Sequence, residues 1–207
     1  MSNNGKLIGH NALVAGPSNP LGLAISKLLA AEGCQLHLAD LNNHVLDRCI
    51  AEISKFYKVD VEAHLTDLSE PMNTAVLALE CQHINILINT LGVPTRGGIN
   101  KLEHEDWKTS FELSLFAMIN LTKEVLESLY EHKSGIIING GGVIDGDGDE
   151  NLCVVTVNAA LQAFSESLDK KTKLDGIRVL SFLPQENISV EENAASLNCL
   201  ILEKLSS

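Results

Sequence analysis

What the chain has little of narrows its class before any motif is read. Aromatic residues make up only 4% of the 207, with one Trp and two Tyr. Positive charge is scarce as well: 15 Lys and Arg stand against 27 Asp and Glu, a net charge of −12. That deficit argues against nucleic acid and against an anionic membrane as partner. No apolar run approaches the roughly 20 residues of a membrane-spanning helix. The opening Met1-Ser2-Asn3-Asn4-Gly5-Lys6 does not read as a signal peptide. The five cysteines (Cys34, Cys49, Cys81, Cys153, Cys199) show no paired spacing. They read as reduced structural thiols, and a cytoplasmic location is expected. The seven histidines are scattered without metal-ligand spacing, so no metal site is expected. Repeats, linkers and low-complexity tracts are missing too. The length suits a single α/β domain over residues 1–207.

What is present is organised around Leu13-Val14-Ala15-Gly16-Pro17-Ser18-Asn19-Pro20-Leu21-Gly22-Leu23-Ala24. A short apolar strand (Asn11–Ala15) feeds a turn, and the turn opens a helix that stops at Gly33. Strand, glycine turn and helix in this order form the first unit of a dinucleotide-binding fold, with a pyrophosphate site at the helix N-terminus. A full fingerprint would read Gly-x-x-x-Gly-x-Gly; Gly16 and Gly22 hold its ends while Pro20 fills the middle. Proline there keeps a suitable φ but supplies no N–H. One missing charge-assisted hydrogen bond is worth roughly 1.5–3 kcal/mol, tenfold or more in affinity. The same residues also suit a strand-to-helix turn that binds nothing.

Strands and helices alternate through the rest. Periodicity predicts strands at 35–39 (ending at Asp40), 59–65, 84–88, 135–138 and Ile177–Phe182, and helices over 43–57, 70–80, 105–130 and 153–173. Ser189 with Glu192 forms a capping box for a last helix. About six strands with intervening helices predict a doubly wound, Rossmann-like parallel sheet, its ligand at the strand C-termini.

The ordered landmarks resemble those of the short-chain dehydrogenase/reductase family over nearly the whole chain. They are the glycine turn, Asp40 after strand two, Asp67 after strand three and Asn89-Thr90-Leu91-Gly92 after strand four. Asp106-Trp107, the helix segment 159–168 and Gly176-Ile177-Arg178-Val179 complete the set. The resemblance implies an NAD(P)-dependent oxidoreductase working through serine, tyrosine, lysine and a helix asparagine. At the matching positions this chain carries Gly141 (Gly142 with a one-residue slip), Val154, Asn158 and Ser114. Valine transfers no proton, and a neutral amide cannot shift a neighbour's pKa. No catalytic residue is therefore assigned. The expected role is a non-catalytic nucleotide-binding or protein-interaction member, a pseudoenzyme. The alternative is an NAD-dependent oxidoreductase of a small carbonyl or alcohol with a divergent active site.

The same resemblance places a cofactor on the turn residues Gly16, Ser18, Asn19, Leu21 and Gly22, on Asp40, on Asp67 and Leu68, and on Asn89 and Leu91. Asp40 would accept a ribose hydroxyl and repel a 2′-phosphate, favouring NAD at a weakened site over NADP. After Pro184-Gln185 the chain runs almost directly into the capped helix, with no covering segment and no seventh strand expected. Helices 105–130 and 153–173 correspond to the family's common dimer interface, so a homodimer or a heteromer with a related reductase is expected. Asp145-Gly146-Asp147-Gly148-Asp149-Glu150 resembles the start of a calcium loop, but loop position twelve is Thr156, so it reads as a solvated acidic loop. Cys153, beside the tyrosine position, has no base partner in view.

Overall fold

The computed structural model describes residues 5–92, 94–144 and 148–205. Elements run β1 (Asn11–Ala15), α1 (Pro20–Ala31), β2 (Gln35–Asp40), α2 (Asn43–Ser54), β3 (Val61–Leu65), α3 (Pro71–Glu80) and β4 (Ile86–Asn89). The second half adds α4 (His104–Ser110), a π-helical segment (Phe111–Phe116), α5 (Ala117–His132), β5 (Gly135–Gly140), α6 (Leu152–Thr172), β6 (Ile177–Phe182) and α7 (Val190–Leu205). The six strands form one sheet in the order β3-β2-β1-β4-β5-β6, every pair parallel. The expected doubly wound sheet is what the chain forms.

Strands β4 and β5 are buried at every residue, which is why their sequences read as continuous aliphatic runs. The two faces carry separate cores. Ala12, Val14, Leu36, Leu38 and Ile138 pack with Ile25, Leu29, Leu197 and Ile201 of α1 and α7. Leu13, Leu87, Ile137 and Val179 pack with Leu77, Leu121 and Val125 of α3 and α5. At the far edge β6 is tied to α6: the Asp169 carboxylate accepts from Arg178 Nε (2.8 Å), Arg178 Nη2 (3.1 Å) and the Val179 N–H (2.9 Å). The last of these bonds satisfies one main-chain donor on β6, the edge strand.

Several boundaries differ from the periodicity. Helix α2 stops at Ser54 instead of 57; the chain turns there so that Tyr57 packs on the core while Phe56 stays out. The expected single helix 105–130 is broken by the π-helical segment, where α4 passes into α5. Leu115 and Met118 from this region meet Val157 and Leu161 of α6 in a third cluster within the chain. Leu113, Phe116 and Val155 are the apolar residues these helices leave exposed. No helix among the described residues is long and apolar enough to cross a membrane. The cysteines are free; all but Cys199 are buried.

Candidate functional site

The sheet order reverses between β1 and β4, and a crevice opens there at the strand C-termini, as a doubly wound sheet requires. Its floor is set by close main-chain approach. Gly16 sits at φ +86°, and a Cβ on it would lie 2.7 Å from the Thr90 carbonyl oxygen. A Cβ on Gly22 would lie 2.6 Å from the Gly16 carbonyl oxygen. Thr90, part of the Asn89–Gly92 landmark but given no role from the sequence, fastens the turn by donating its hydroxyl toward the carbonyls of Ala15 and Gly16, each at 3.0 Å. Gly16→Ala should therefore lose stability twice, through a strained φ worth roughly 1–3 kcal/mol and through overlap with the β4 loop. Gly9, at φ +85° with nothing within 4 Å of its Cβ position, separates the two effects. Thermal unfolding is expected to show a clearly larger fall in midpoint for Gly16→Ala than for Gly9→Ala.

On one side of the turn lies a cleft of about 150 Å³ lined by Gly16, Ser18, Asp40, Asp67, Leu68 and Leu91, among others. Asp40, only 8% exposed, is held from two sides: its Oδ2 accepts from the Ser18 N–H and its Oδ1 from the Asn42 N–H, both at 3.1 Å. Each oxygen keeps a further lone pair for a hydroxyl. The Asp67 Oδ1 accepts from the Ser69 N–H (3.0 Å) and hydroxyl (2.6 Å), which shapes the loop into α3. The helix N-terminus is less open. Asn19 caps α1 by accepting from the Leu21 N–H at 3.0 Å, and Pro20 contributes no donor. The adenosine side thus offers a fitting carboxylate, while the pyrophosphate side has few donors left. Asn89 stands apart from the cleft lining; its amide is fully buried and donates to Asn139 Oδ1 (2.9 Å) and Thr122 Oγ1 (3.3 Å).

On the other side is a second cavity of about 200 Å³, lined by Leu21, Gly142, Val154, Pro184 and Asn193, with Arg96 the only titratable side chain among the described residues that line it. Its far wall is closed by a ring: Gly142 N–H donates to Asn158 Oδ1 at 2.9 Å, and Asn158 Nδ2 donates back to the Gly142 carbonyl at 2.8 Å. A Cβ on Gly142 would stand 3.0 Å from Val154 Cγ1, and one on Gly141 2.5 Å from Asn158 Oδ1. Gly141, Gly142, Val154 and Asn158 are therefore neighbours in space. Asn193 ties the start of α7 down beside them, accepting from the Gln185 N–H (2.9 Å) and donating to its carbonyl (3.0 Å).

Ser114 lies in the π-helical segment, a deviation frequent at functional sites. Its hydroxyl is buried, has no hydrogen-bond partner and is directed at Gly92 (φ +66°), which lines both cavities. Cys153 is fully buried, and burial pushes its thiol pKa up, which disfavours the thiolate. Of the acidic loop, 145–147 lie outside the described residues; Glu150 pairs with Lys101 at 2.7 Å on the surface.

A parallel sheet with this strand order, a glycine turn at its reversal and a carboxylate closing β2 defines the class of dinucleotide-binding doubly wound domains. Within that class the chain belongs to the short chain dehydrogenase family, whose sequence profile matches residues 10–188. It is 28% identical over 183 residues to Nodulation protein G of Rhizobium meliloti, covering 86% of this chain and 74% of that one. It is 24% identical over 187 residues to the 3-oxoacyl-(acyl-carrier-protein) reductase FabG of Chlamydia trachomatis, covering 87% and 75%. Among solved structures, L-sorbose reductase of Gluconobacter frateurii, complexed with NADPH and L-sorbose, superposes with a TM-score of 0.86 at 21% identity, over 99% of this chain and 93% of that one.

Proposed function

We propose that this protein is a non-catalytic member of its family that binds NAD weakly in the crevice and acts through that binding or through a protein partner. The observation that carries the reading is the second cavity. Among its described lining residues only Arg96 titrates, and a guanidinium does not release a proton in this setting. Val154 and the Asn158–Gly142 ring occupy the wall where a proton donor and its cationic helper would stand. Among the described residues, general acid–base catalysis, typically worth 10²–10⁴-fold, has no group to act through there.

NAD would sit with its adenosine ribose on Asp40 and its adenine against Asp67 and Leu68, crossing the turn Gly16, Ser18, Asn19, Leu21 and Gly22 toward Leu91. When bound, it would supply a hydride acceptor. The chain's own contribution is to hold the ribose and to exclude a 2′-phosphate by like charge. Calorimetric titration is expected to give weak binding of NAD, weaker or no binding of NADP, and loss of the NAD signal in Asp40→Ala. A panel of carbonyls and alcohols should give no turnover. Tighter binding of NADP than of NAD would overturn the assignment of Asp40.

The second reading, an oxidoreductase with a divergent active site, is favoured by the unpartnered Ser114 hydroxyl behind Gly92. Turnover on the same panel that disappears in Ser114→Ala would put it first. For assembly we propose a homodimer, or a heteromer with a related reductase, through the faces bearing Phe116 and Val155, which are 50% and 40% exposed. Light scattering at micromolar concentration should give twice the chain mass; a monodisperse monomer argues against the homodimer.

A further inference from the structure

Away from the crevice, on the face of the sheet covered by α3, three potential metal ligands converge. His37 on β2, His64 on β3 and Cys81 at the C-terminal end of α3 bring one ligand atom each to within 4.8 Å of one another. The strand register explains it: His37 lies beside Glu62, so the next residue on the same face of β3 is His64. His37 Nδ1 is 3.0 Å from His64 Nε2 and 3.5 Å from Glu62 Oε2, and Cys81 Sγ is 3.7 Å from His64 Nε2. A tetrahedral ion with bonds of about 2.0–2.3 Å holds its donors roughly 3.3–3.6 Å apart.

We propose that His37 Nδ1, His64 Nε2 and Cys81 Sγ form a zinc site that clips the β2–β3 edge of the sheet to the end of α3, with the exposed Glu62 carboxylate, 3.5 Å from His37 Nδ1, rotating inward as the fourth ligand. Two observations beyond proximity support it. Glu80 Oε2 lies 3.1 Å from His64 Nδ1, and a carboxylate accepts only, so that nitrogen carries the hydrogen and Nε2 presents its lone pair to the cluster. This carboxylate–histidine arrangement is what orients an imidazole on a metal. The site also closes α3, whose last turn carries no basic residue, so the negative end of the helix dipole faces the ion.

Charge balances: one thiolate and one carboxylate neutralise Zn²⁺ while both imidazoles stay neutral, and binding sends the Cys81 proton to solvent. With Glu62 turned in as the fourth donor the ion keeps no open position, as in a structural site. Its fold-level consequence is specific. His64 precedes and Cys81 follows the segment carrying Asp67 and Leu68, so the clip fixes both ends of that part of the crevice. Glu62 and Glu80 are exposed at the sheet edge and give an ion its entry.

The test is a titration of the full chain, stripped of metal by chelator, with Co²⁺ and then Zn²⁺. One equivalent of Co²⁺ is expected to give the ligand-field bands of a tetrahedral ion and a thiolate-to-cobalt charge-transfer band, both bleached by one equivalent of Zn²⁺. Cys81→Ser should lose the charge-transfer band, and His37→Gln the saturable binding. Glu80→Ala should bind Zn²⁺ about 10–100-fold more weakly. Cys199→Ser, altering an exposed thiol on α7 across the sheet, should leave the spectrum unchanged. No charge-transfer band in the unaltered protein, or one that survives Cys81→Ser or vanishes with Cys199→Ser, would overturn the site. If Cys81→Ser does not fold, the half-buried His37→Gln and exposed Glu80→Ala decide: Zn²⁺ affinity unchanged in both refutes the proposal.

Discussion

Asn139→Ala is expected to remove about 3–5 kcal/mol of stability, a large part of the 5–15 kcal/mol that holds a typical domain together. Asn139 lies on β5 with no exposed surface, paired in register with Asn89 on β4. Its Oδ1 accepts from Asn89 at 2.9 Å and from Thr122 Oγ1 at 3.4 Å, and its Nδ2 donates to Ser165 Oγ at 3.0 Å. One side chain thus ties two central strands to α5 and α6. Truncation leaves the Thr122 hydroxyl without its acceptor and Ser165 Oγ without its donor, and leaves Asn89 Nδ2 only its 3.3 Å bond to Thr122; all three groups are fully buried, and an unpaired one costs about 1–3 kcal/mol. Urea unfolding should show the midpoint moving with an unchanged slope. Adding Asn89→Val to Asn139→Ala should cost less than the sum of the two single changes, because the second removes a group the first left unpaired. Strict additivity would mean the pair contributes nothing as a unit.

The second large effect is expected for Asp169→Asn. Asp169 and Arg178 have side chains only 15% and 28% exposed, so water screens the pair weakly. Burial pulls the Asp169 pKa up, but the Arg178 bond and charge and the Val179 N–H outweigh it, and the carboxyl ends below its ordinary value. Asparagine removes the charge and sets an NH₂ against the guanidinium, at a cost of about 2–4 kcal/mol. The pH dependence has a definite sign. A lowered folded pKa gives stability that is fully present above the unfolded value of about 3.9 and is lost as pH falls through the folded value. The gap between parent and variant should therefore be constant from neutral pH down to about 5 and shrink below about 4. A gap that widens on acidification would contradict the assignment.

Legibility differed by the range of the interactions involved. Apolar runs such as Ile86–Asn89 and Gly135–Gly140 could be recognised as buried parallel strands because burial on both faces leaves no alternation. The box at the last helix was equally local, and Ser189 and Glu192 make it, with the Ser189 N–H and hydroxyl donating to Glu192 Oε2 at 2.8 and 3.0 Å. The broken helix was not readable: nothing in Phe111–Phe116 departs from helical spacing. The π-helical segment instead packs its main chain on Gly92, where a Cβ would stand 2.8 Å from the Leu113 carbonyl oxygen. Asn89, which the motif places in the cofactor path, donates its Nδ2 inside the sheet to Asn139 and Thr122, while its Oδ1 is left without a partner. On helix 105–130, Leu115 and Met118 pack with α6 inside the chain, a contact that helical periodicity alone does not distinguish from a surface.

The sequence by itself determined the doubly wound sheet and its order of elements, because local periodicity and turn chemistry act over a few residues at a time. It also determined which side chains stand at each family landmark. Only the tertiary structure decided what those side chains do. Asn158 turns its amide back onto the Gly142 main chain, and Asn89 pairs with Asn139. His37, His64 and Cys81 meet because two strands and a helix end are fixed in register against one another. Those contacts join positions far apart along the chain, and no spacing in the sequence encodes a distance that the packing of the sheet creates.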